Sequence, residues 1–288
     1  MMLHLNKDTA RPNNKRKMRR STRVSIILLS IIVIAAIIGP ELSNWQPEDI
    51  DWDAMEQGPS LAHPFGTDLV GRDLFVRTMI GARTSLTIAV IATFVSLIIG
   101  VPWGAFAGYL GGRVDQFMMR IVDVLYGLPF ILLVILLVVL FGRNPYLLFA
   151  ALGAIFWLDL ARIVRGQTLS IRQALFIEAS RSLGAHTGQI VWRHIIPNVI
   201  GPVIVYATIT LPSVILAESF ISFLGLGVQE PNTSWGVLIA DGTATIESSP
   251  WMLIFPGVLL VTTLWCCNTL GDRLSDHRDE IQRNPVNL

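Results

Sequence analysis

The chain has 288 residues, of which 52% are hydrophobic and 15% are charged, and its net charge is +1 at pH 7. This balance excludes an ordinary soluble globular protein, in which about a quarter of the residues are charged, and it predicts a membrane protein. The two cysteines, Cys266 and Cys267, are neighbours and are poorly placed for an ordinary disulfide. The composition therefore indicates neither a disulfide framework nor a metal site.

Six apolar segments approach the roughly 20 residues that a membrane-spanning helix needs. They are residues 24–42, 85–109, 117–141, 147–164, 199–224 and 251–270. The first segment follows basic residues, as the apolar part of a signal peptide does, but it ends at Gly39-Pro40-Glu41 without a small-residue cleavage site. It is therefore predicted to remain as an uncleaved first helix.

The distribution of lysine and arginine predicts the orientation of these spans. Residues 1–23 hold eight basic residues, and residues 165–198 hold four. The loop 43–84 holds three against seven acids, and the loop 225–250 holds none. The alternation predicts six spans with both termini in the cytoplasm, a basic N-terminal tail and a second cytoplasmic tail at 273–288.

The outer loop after the first span, residues 43–83, is acidic in its first half. Residues 41–60 contain six acids, no basic residue, and the two tryptophans Trp45 and Trp52. Either the exclusion of basic residues leaves the loop acidic, with tryptophans at the headgroup level, or the loop contacts an extracytoplasmic protein. The apolar spacing of residues 67–82 further predicts a helix that lies flat on the outer interface.

Three acids fall within predicted spans, where charges are costly and suggest function. Asp123 has Arg120 one turn before it, and Asp159 has Arg162 three residues later, on the same helix face. These two acids form either local ion pairs near the inner interface or an inner gate or polar wall of a transport pathway. Glu218 lies near the outer end of its span and faces either another helix or subunit, or a substrate amine.

The largest internal cytoplasmic loop contains the stretch EASRSLGAHTGQIVWRHIIPN, residues 178–198. It predicts two short helices, separated at Gly184 because glycine tolerates a left-handed turn. Thr187 is predicted to cap the second helix, and Pro197 to end it. The first helix is predicted to carry a mixed apolar face, formed by Ala174, Leu175, Ile177, Ala179 and Leu183. A loop this long and apolar is typical of a docking surface.

This loop resembles the EAA loop of ABC importer permeases. The pattern is present as Glu178, Ala179, Ser180, Gly184, Ile196 and Pro197, with Ser180 where the family often has alanine. Residues 63–86 (HPFGTDLVGRDLFVRTMIGARTSL), 161–169 and 219–236 resemble oligopeptide and dipeptide permeases, and the similarity runs over about residues 60–275. The chain looks most like the C-type permease subunit of these importers.

The resemblance implies the type I ABC importer permease fold, with a translocation domain at residues 84–272 and a coupling loop at 172–197. It implies a heterodimer with a second permease subunit, two cytoplasmic ATPase subunits and an extracytoplasmic substrate-binding protein, in a bacterial cytoplasmic membrane. By the same resemblance Glu178 contacts the ATPase, Gly184 makes the turn between the helices, and Ala179 allows close packing. The implied cargo is a peptide.

The lysines argue separately that this chain does not hydrolyse ATP. All three, Lys7, Lys15 and Lys17, lie in the N-terminal tail, whereas a P-loop needs a lysine directly after its glycines. ATP and Mg²⁺ are therefore expected on the partner ATPases, with no cofactor, metal or catalytic residue in this chain. The basic tail is expected to contact lipid rather than nucleic acid.

Several alternatives stay open from the sequence. An importer of the same family could carry nickel, glycosides or antimicrobial peptides, because the family motifs report coupling rather than cargo. An ion-coupled secondary transporter is a less favoured alternative, since such proteins often contain inverted repeats and no clear repeat is visible here. A membrane scaffold that transports nothing would leave the coupling loop without a purpose.

Overall fold

The computed structural model describes residues 12–141 and 145–283, and it consists there of helices and connecting loops. The helices are α1 (Pro12–Leu42), α2 (Leu74–Leu110), α3 (Gly112–Tyr126), α4 (Phe130–Phe141), α5 (Pro145–Ile171), α6 (Leu175–Ser182), α7 (Thr187–Ile190), α8 (Ile196–Phe223), α9 (Trp235–Ala244) and α10 (Trp251–Arg283). The first eleven residues of the predicted N-terminal tail and the last five of the C-terminal tail lie outside the described residues.

Four helical segments of the described chain are long and apolar enough to cross a membrane. They are Arg20–Leu42, Leu74–Leu110, Thr187–Phe223 and Trp251–Asp276. These segments contain most or all of the predicted first, second, fifth and sixth spans. The predicted fourth span lies within α5, and the predicted third span is divided between α3 and α4. The all-helical membrane architecture is confirmed, and the count of six spans stays a prediction.

The division of the third span has a local cause. Gly127 ends α3 by donating its N–H to the carbonyl of Asp123 at 3.0 Å. Pro129 cannot donate into a continuing helix, and α4 begins only at Phe130. Residues 127–129 therefore separate two half-spans, where the sequence alone predicts one continuous helix.

The outer loop differs from the prediction of a separate interfacial helix over residues 67–82. In the structure α2 begins at Leu74, where Asp73 caps it by accepting the Val76 N–H at 2.8 Å, and it continues without interruption to Leu110. Leu74 and Met79 are buried. Leu74 and Met79 are thus in the first core-facing turns of α2, whereas Leu69 and Val70 precede the helix and are exposed.

A buried histidine organises the outer loop before α2. His63 is 1% exposed; its Nδ1 lies 2.9 Å from Oδ2 of Asp73 and its Nε2 lies 3.4 Å from Oδ2 of Asp51. The ring also packs against Trp45, with centroids 4.7 Å apart. Part of the acidity of this loop therefore serves its own fold, which neither sequence-based interpretation includes.

Small residues place α2 directly against α5. Gly100, Gly104 and Gly108 recur every four residues on α2, a pattern that lets helix backbones approach closely in membranes. A Cβ at Gly104 would lie 2.8 Å from Cβ of Val164 and 2.9 Å from the backbone nitrogen of Arg165. Such distances are shorter than real side chains adopt, so this contact requires glycine.

An arginine joins α1 to α2 at a proline. Pro40 lies inside α1 and has no N–H to donate to the carbonyl of Ala36, four residues earlier. Arg83 of α2 donates its Nε to that carbonyl and its Nη2 to the carbonyl of Ile37, the latter at 2.6 Å. Arg83 thus satisfies the acceptor that the proline leaves free.

We expect Arg83→Met to lower the free energy of unfolding by about 1–3 kcal/mol, because it leaves the Ala36 carbonyl without a donor. Thermal denaturation of the detergent-solubilised protein measures the effect. The control is Arg113→Met, since Arg113 is exposed and forms no ion pair with a described residue. Equal stability of the two variants would show that Arg83 does not hold α1.

Candidate functional site

The predicted cytoplasmic loop folds as two helical segments joined by the predicted left-handed turn. Gly184 has φ of +85°. Its N–H donates to the carbonyl of Arg181 at 3.0 Å, and the N–H of Ala185 donates to the carbonyl of Ser180 at 3.1 Å, which is the Schellman pattern of helix termination. A Cβ at Gly184 would meet nothing within 4 Å, so glycine is required for its backbone conformation and not for space.

The second segment of the loop begins one residue earlier than predicted. His186, rather than Thr187, is the N-cap, and its Nδ1 accepts the N–H of Gln189 at 3.1 Å. Thr187 is the first helical residue. The imidazole supplies the acceptor that the sequence-based interpretation assigns to a hydroxyl.

The predicted helix boundary at Pro197 is wrong. Residues Val191–Ile195 form a π turn, and the N–H of Ile196 donates to the carbonyl of Val191. Pro197 then occupies the first turn of α8, where a missing donor is tolerated. Thr187–Phe223 is therefore one helical rod, and the cytoplasmic loop continues directly into the predicted fifth span.

One face of the loop belongs to the protein core. Ile177 of α6 and Ile190, Val191 and Ile195 of the second segment are all 1% exposed or less. They pack in one cluster with Val101 and Ala105 of α2 and with Leu160 and Val164 of α5. The loop is therefore anchored by packing against α2 and α5.

The opposite face of the loop is exposed and apolar. Leu175 and Leu183 are 83% and 88% exposed, and Trp192 is 58% exposed. The predicted apolar face of α6 is thus divided, since only Ile177 among its members is buried. Four residues of the motif are exposed, namely Glu178, Ala179, Gly184 and Pro197, while Ser180 and Ile196 are half-buried.

Asp123 lies on α3 and Asp159 lies near the middle of α5. Arg162 Nη2 lies 2.9 Å from Oδ1 of Asp123 on α3, and its guanidinium lies 4.2 Å above the ring of Tyr126. The predicted local pairing of Asp159 with Arg162 is therefore wrong, because Arg162 reaches across to α3. Asp159 is half-buried and forms no ion pair or hydrogen bond with another described residue.

Glu218 does not face a substrate path within this chain. It is fully buried, with 0% exposure, and its carboxyl accepts hydrogen bonds from the hydroxyls of Ser85 at 2.9 Å and Ser222 at 2.8 Å. Ser219 lies farther away, at 3.4 Å. Because these serines of α2 and α8 enclose it, the burial favours the interpretation of Glu218 as a contact with another helix over that of a contact for a substrate amine.

A second charged cluster, which sequence reasoning misses, joins the loop before α2 to the loop before α9. Arg72 donates to Asp68 at 2.7 Å and to Glu230 at 2.9 Å, and it thereby lowers the pKa of Glu230. Arg77, 3% exposed, lies 3.7 Å from Asp68. Only the fold brings Arg72 and Glu230 together, since 158 positions separate them.

No group of three or more histidine, cysteine, aspartate or glutamate side chains that could hold a metal ion occurs among residues 12–141 and 145–283. The described site consists of an exposed apolar surface and several ion pairs.

Comparison with known proteins gives a consistent set of matches. A family model described as "Binding-protein-dependent transport system inner membrane component" matches residues 100–280. The oligopeptide transport system permease protein OppC of Haemophilus influenzae is 51% identical over 90% of this chain and 84% of its own length. The protein of the same name from Escherichia coli is 50% identical over 92% of this chain and 88% of its own.

Two further matches extend this set. The dipeptide transport system permease protein DppC of Bacillus subtilis is 44% identical over 91% of this chain and 82% of its own length. An inward-facing structure of the MetNI methionine ABC transporter superposes with a TM-score of 0.56 at 23% identity, covering 69% of this chain and 94% of that chain. At this identity the structural likeness concerns the fold alone.

Proposed function

Because the chain belongs to the family of binding-protein-dependent transport system inner membrane components, we propose that it is the permease subunit of an ABC importer for peptides. One observation carries the cargo assignment: relatives named for oligopeptide or dipeptide transport are 44–51% identical over about nine tenths of the chain. The chain is a multi-pass protein of the inner membrane.

The ATPase subunits dock on the exposed face of the cytoplasmic loop. Leu175, Leu183 and Trp192 present apolar area there, and Glu178 adds a charge beside them. A contiguous apolar surface rimmed by polar groups is typical of a protein interface. The chain has no lysine in a P-loop context, so ATP and Mg²⁺ bind to the partner ATPases and not to this subunit.

The anchoring of the loop explains how ATPase movement reaches the membrane. The buried face packs on α2 and α5, and the second segment is continuous with α8. A displacement of the docked ATPase therefore moves these helices together, because packed interfaces shift as units rather than deform continuously. This connection supports a coupling role for Glu178, Ala179, Ser180, Gly184, Ile196 and Pro197.

The complete transporter contains a second permease subunit, two ATPase subunits and an extracytoplasmic substrate-binding protein. In this chain α1, α2, the α3–α4 pair, α5, α8 and α10 form six spans, and both termini lie in the cytoplasm. The outer loop and the Arg72–Glu230 cluster then face the side from which the binding protein delivers its cargo.

Deletion of this chain should abolish growth on a peptide that is the sole source of a required amino acid. Growth on the free amino acid is the control, since it bypasses peptide import, and a plasmid copy of the chain should restore growth on the peptide. Unimpaired peptide uptake together with lost nickel uptake would contradict the proposal and favour a metal importer of the same family.

The proposed topology predicts which positions a membrane-impermeant thiol reagent reaches in intact cells. In a variant without Cys266 and Cys267, a cysteine at Trp52 should be labelled from outside, because that side chain is 73% exposed on the outer loop. A cysteine at Gly184 should react only after the cells are opened. Labelling of position 184 in intact cells, or no labelling of position 52, would exclude this arrangement.

A further inference from the structure

A cavity of about 440 Å³ lies at the break between α3 and α4. Tyr126 and Leu128 line it from the break, Asp159 from α5 and Ala217 from α8. Among the described residues that line the cavity, Asp159 alone carries a charge, and the other walls are mainly apolar. The volume falls within the range of small-molecule binding sites.

Asp159 lacks a countercharge within the described chain. Arg162, one turn further along α5, is bound to Asp123 at 2.9 Å and stacked on Tyr126. This ion pair is balanced without Asp159. Among the described residues, the cavity therefore contains one carboxylate without an ion-pair partner, beside the Arg162–Asp123 pair whose charges neutralise each other.

The placement of this carboxylate indicates that it does not face lipid. An unpaired charge at membrane depth is costly, and such residues face a bundle interior, a partner or a water-filled space. Non-helical backbone is likewise tolerated at that depth only where protein covers it or where it lines an aqueous cavity. The free carboxylate and the helix break are separate observations, and both occur at this one cavity.

We infer that Asp159 binds the ammonium group of the peptide as it crosses the membrane. This inference rests on the proposed function, since it takes a peptide as the cargo. A peptide with a free amino terminus is mostly protonated there at neutral pH, whatever its sequence. One carboxylate therefore serves every such peptide, while the apolar walls accept varied side chains.

The test uses the complete transporter, with its partner subunits, in proteoliposomes. The probes are trialanine and N-acetyl-trialanine, each at a concentration at which the binding protein holds it. Asp159→Asn should lower the uptake of trialanine about tenfold, the effect expected for one lost charge-assisted contact. Uptake of the acetylated peptide should not change, so the preference for the free amine should disappear. Asp159→Glu should restore that preference.

The control is Asp272→Asn, which removes an exposed carboxylate of α10 that does not line the cavity and should leave the preference for the free amine intact. The inference is overturned if Asp159→Asn keeps wild-type uptake of trialanine with its preference unchanged. It is also overturned if the variant loses the second permease subunit on purification, because the carboxylate would then be a subunit contact. A wild-type transporter that takes up neither peptide would refute the proposed function itself.

Discussion

Gly104→Leu should prevent the chain from accumulating in the membrane. A side chain at this position would enter the backbone of α5 between the carbonyl of Ala161 and the nitrogen of Arg165. Overpacking of a filled core typically costs about 1–3 kcal/mol and sometimes more. Here the obstacle is backbone, which cannot move aside as a flexible side chain does. We expect membrane abundance to fall about tenfold or more.

The matched control for this prediction is Gly257→Leu. Gly257 also lies inside a long apolar helix, but an added Cβ there would meet nothing within 4 Å. Abundance, measured by immunoblot of isolated membranes, should therefore stay near the wild-type level for Gly257→Leu, with Gly104→Ala between the two. Normal accumulation and uptake of Gly104→Leu would show that the close contact between α2 and α5 is dispensable.

The sequence is sufficient where the cause of a feature is local. The left-handed turn at Gly184 follows from a glycine between two apolar-faced segments, and the structure contains it with φ of +85°. Pro197 is local too, but its effect is misjudged from sequence. A π turn at Val191–Ile195 precedes Pro197, and the helix continues beyond the proline. Ile195 in this turn is buried against other helices, and no local sequence pattern specifies that burial.

Features that join distant parts of the chain are beyond the sequence-based interpretation. The sequence alone does not predict that Glu218 is buried, because Ser85, which donates a hydrogen bond to it, lies 133 positions earlier. Ser222, one helical turn after Glu218, is a usable local signal of a hydrogen-bonded acid. Gly104 gives another such signal, since the glycine spacing on α2 predicts a helix contact. The identity of α5 as the partner helix comes only from the structure.

The pairing of Arg162 shows the same limit in the candidate pathway. Its spacing from Asp159 favours a local ion pair, yet the side chain reaches Asp123 on a different helix. The choice between two carboxylates depends on how α3 and α5 pack, which sequence spacing does not encode. The correction leaves Asp159 without an ion-pair partner among the described residues, and the proposed binding of an ammonium group depends on this.

Gly184→Val should insert into the membrane normally and lose substrate uptake. A β-branched residue at positive φ costs about 1–2 kcal/mol, and the space around Gly184 is open, so the strain acts on the turn between α6 and α7 alone. Glu178→Lys should act at the same surface, where a reversed charge can cost several kcal/mol if the ATPase group is basic. Both variants should retain less ATPase on affinity purification.

Two substitutions separate coupling from general strain. Gly184→Asn should keep most of the uptake, because asparagine adopts the left-handed conformation more readily than valine. Gly112 also has a positive φ, +56°, with open space around it, so Gly112→Val imposes similar strain outside the coupling loop and should leave ATPase binding intact. Membrane abundance, ATPase recovery and peptide uptake are measured for all four variants.

Wild-type ATPase recovery and uptake in both Gly184→Val and Glu178→Lys would mean that this loop does not couple ATP hydrolysis to transport. A collapse of their abundance would instead identify the turn as a folding determinant, since the exposed face of the loop contributes nothing to the core.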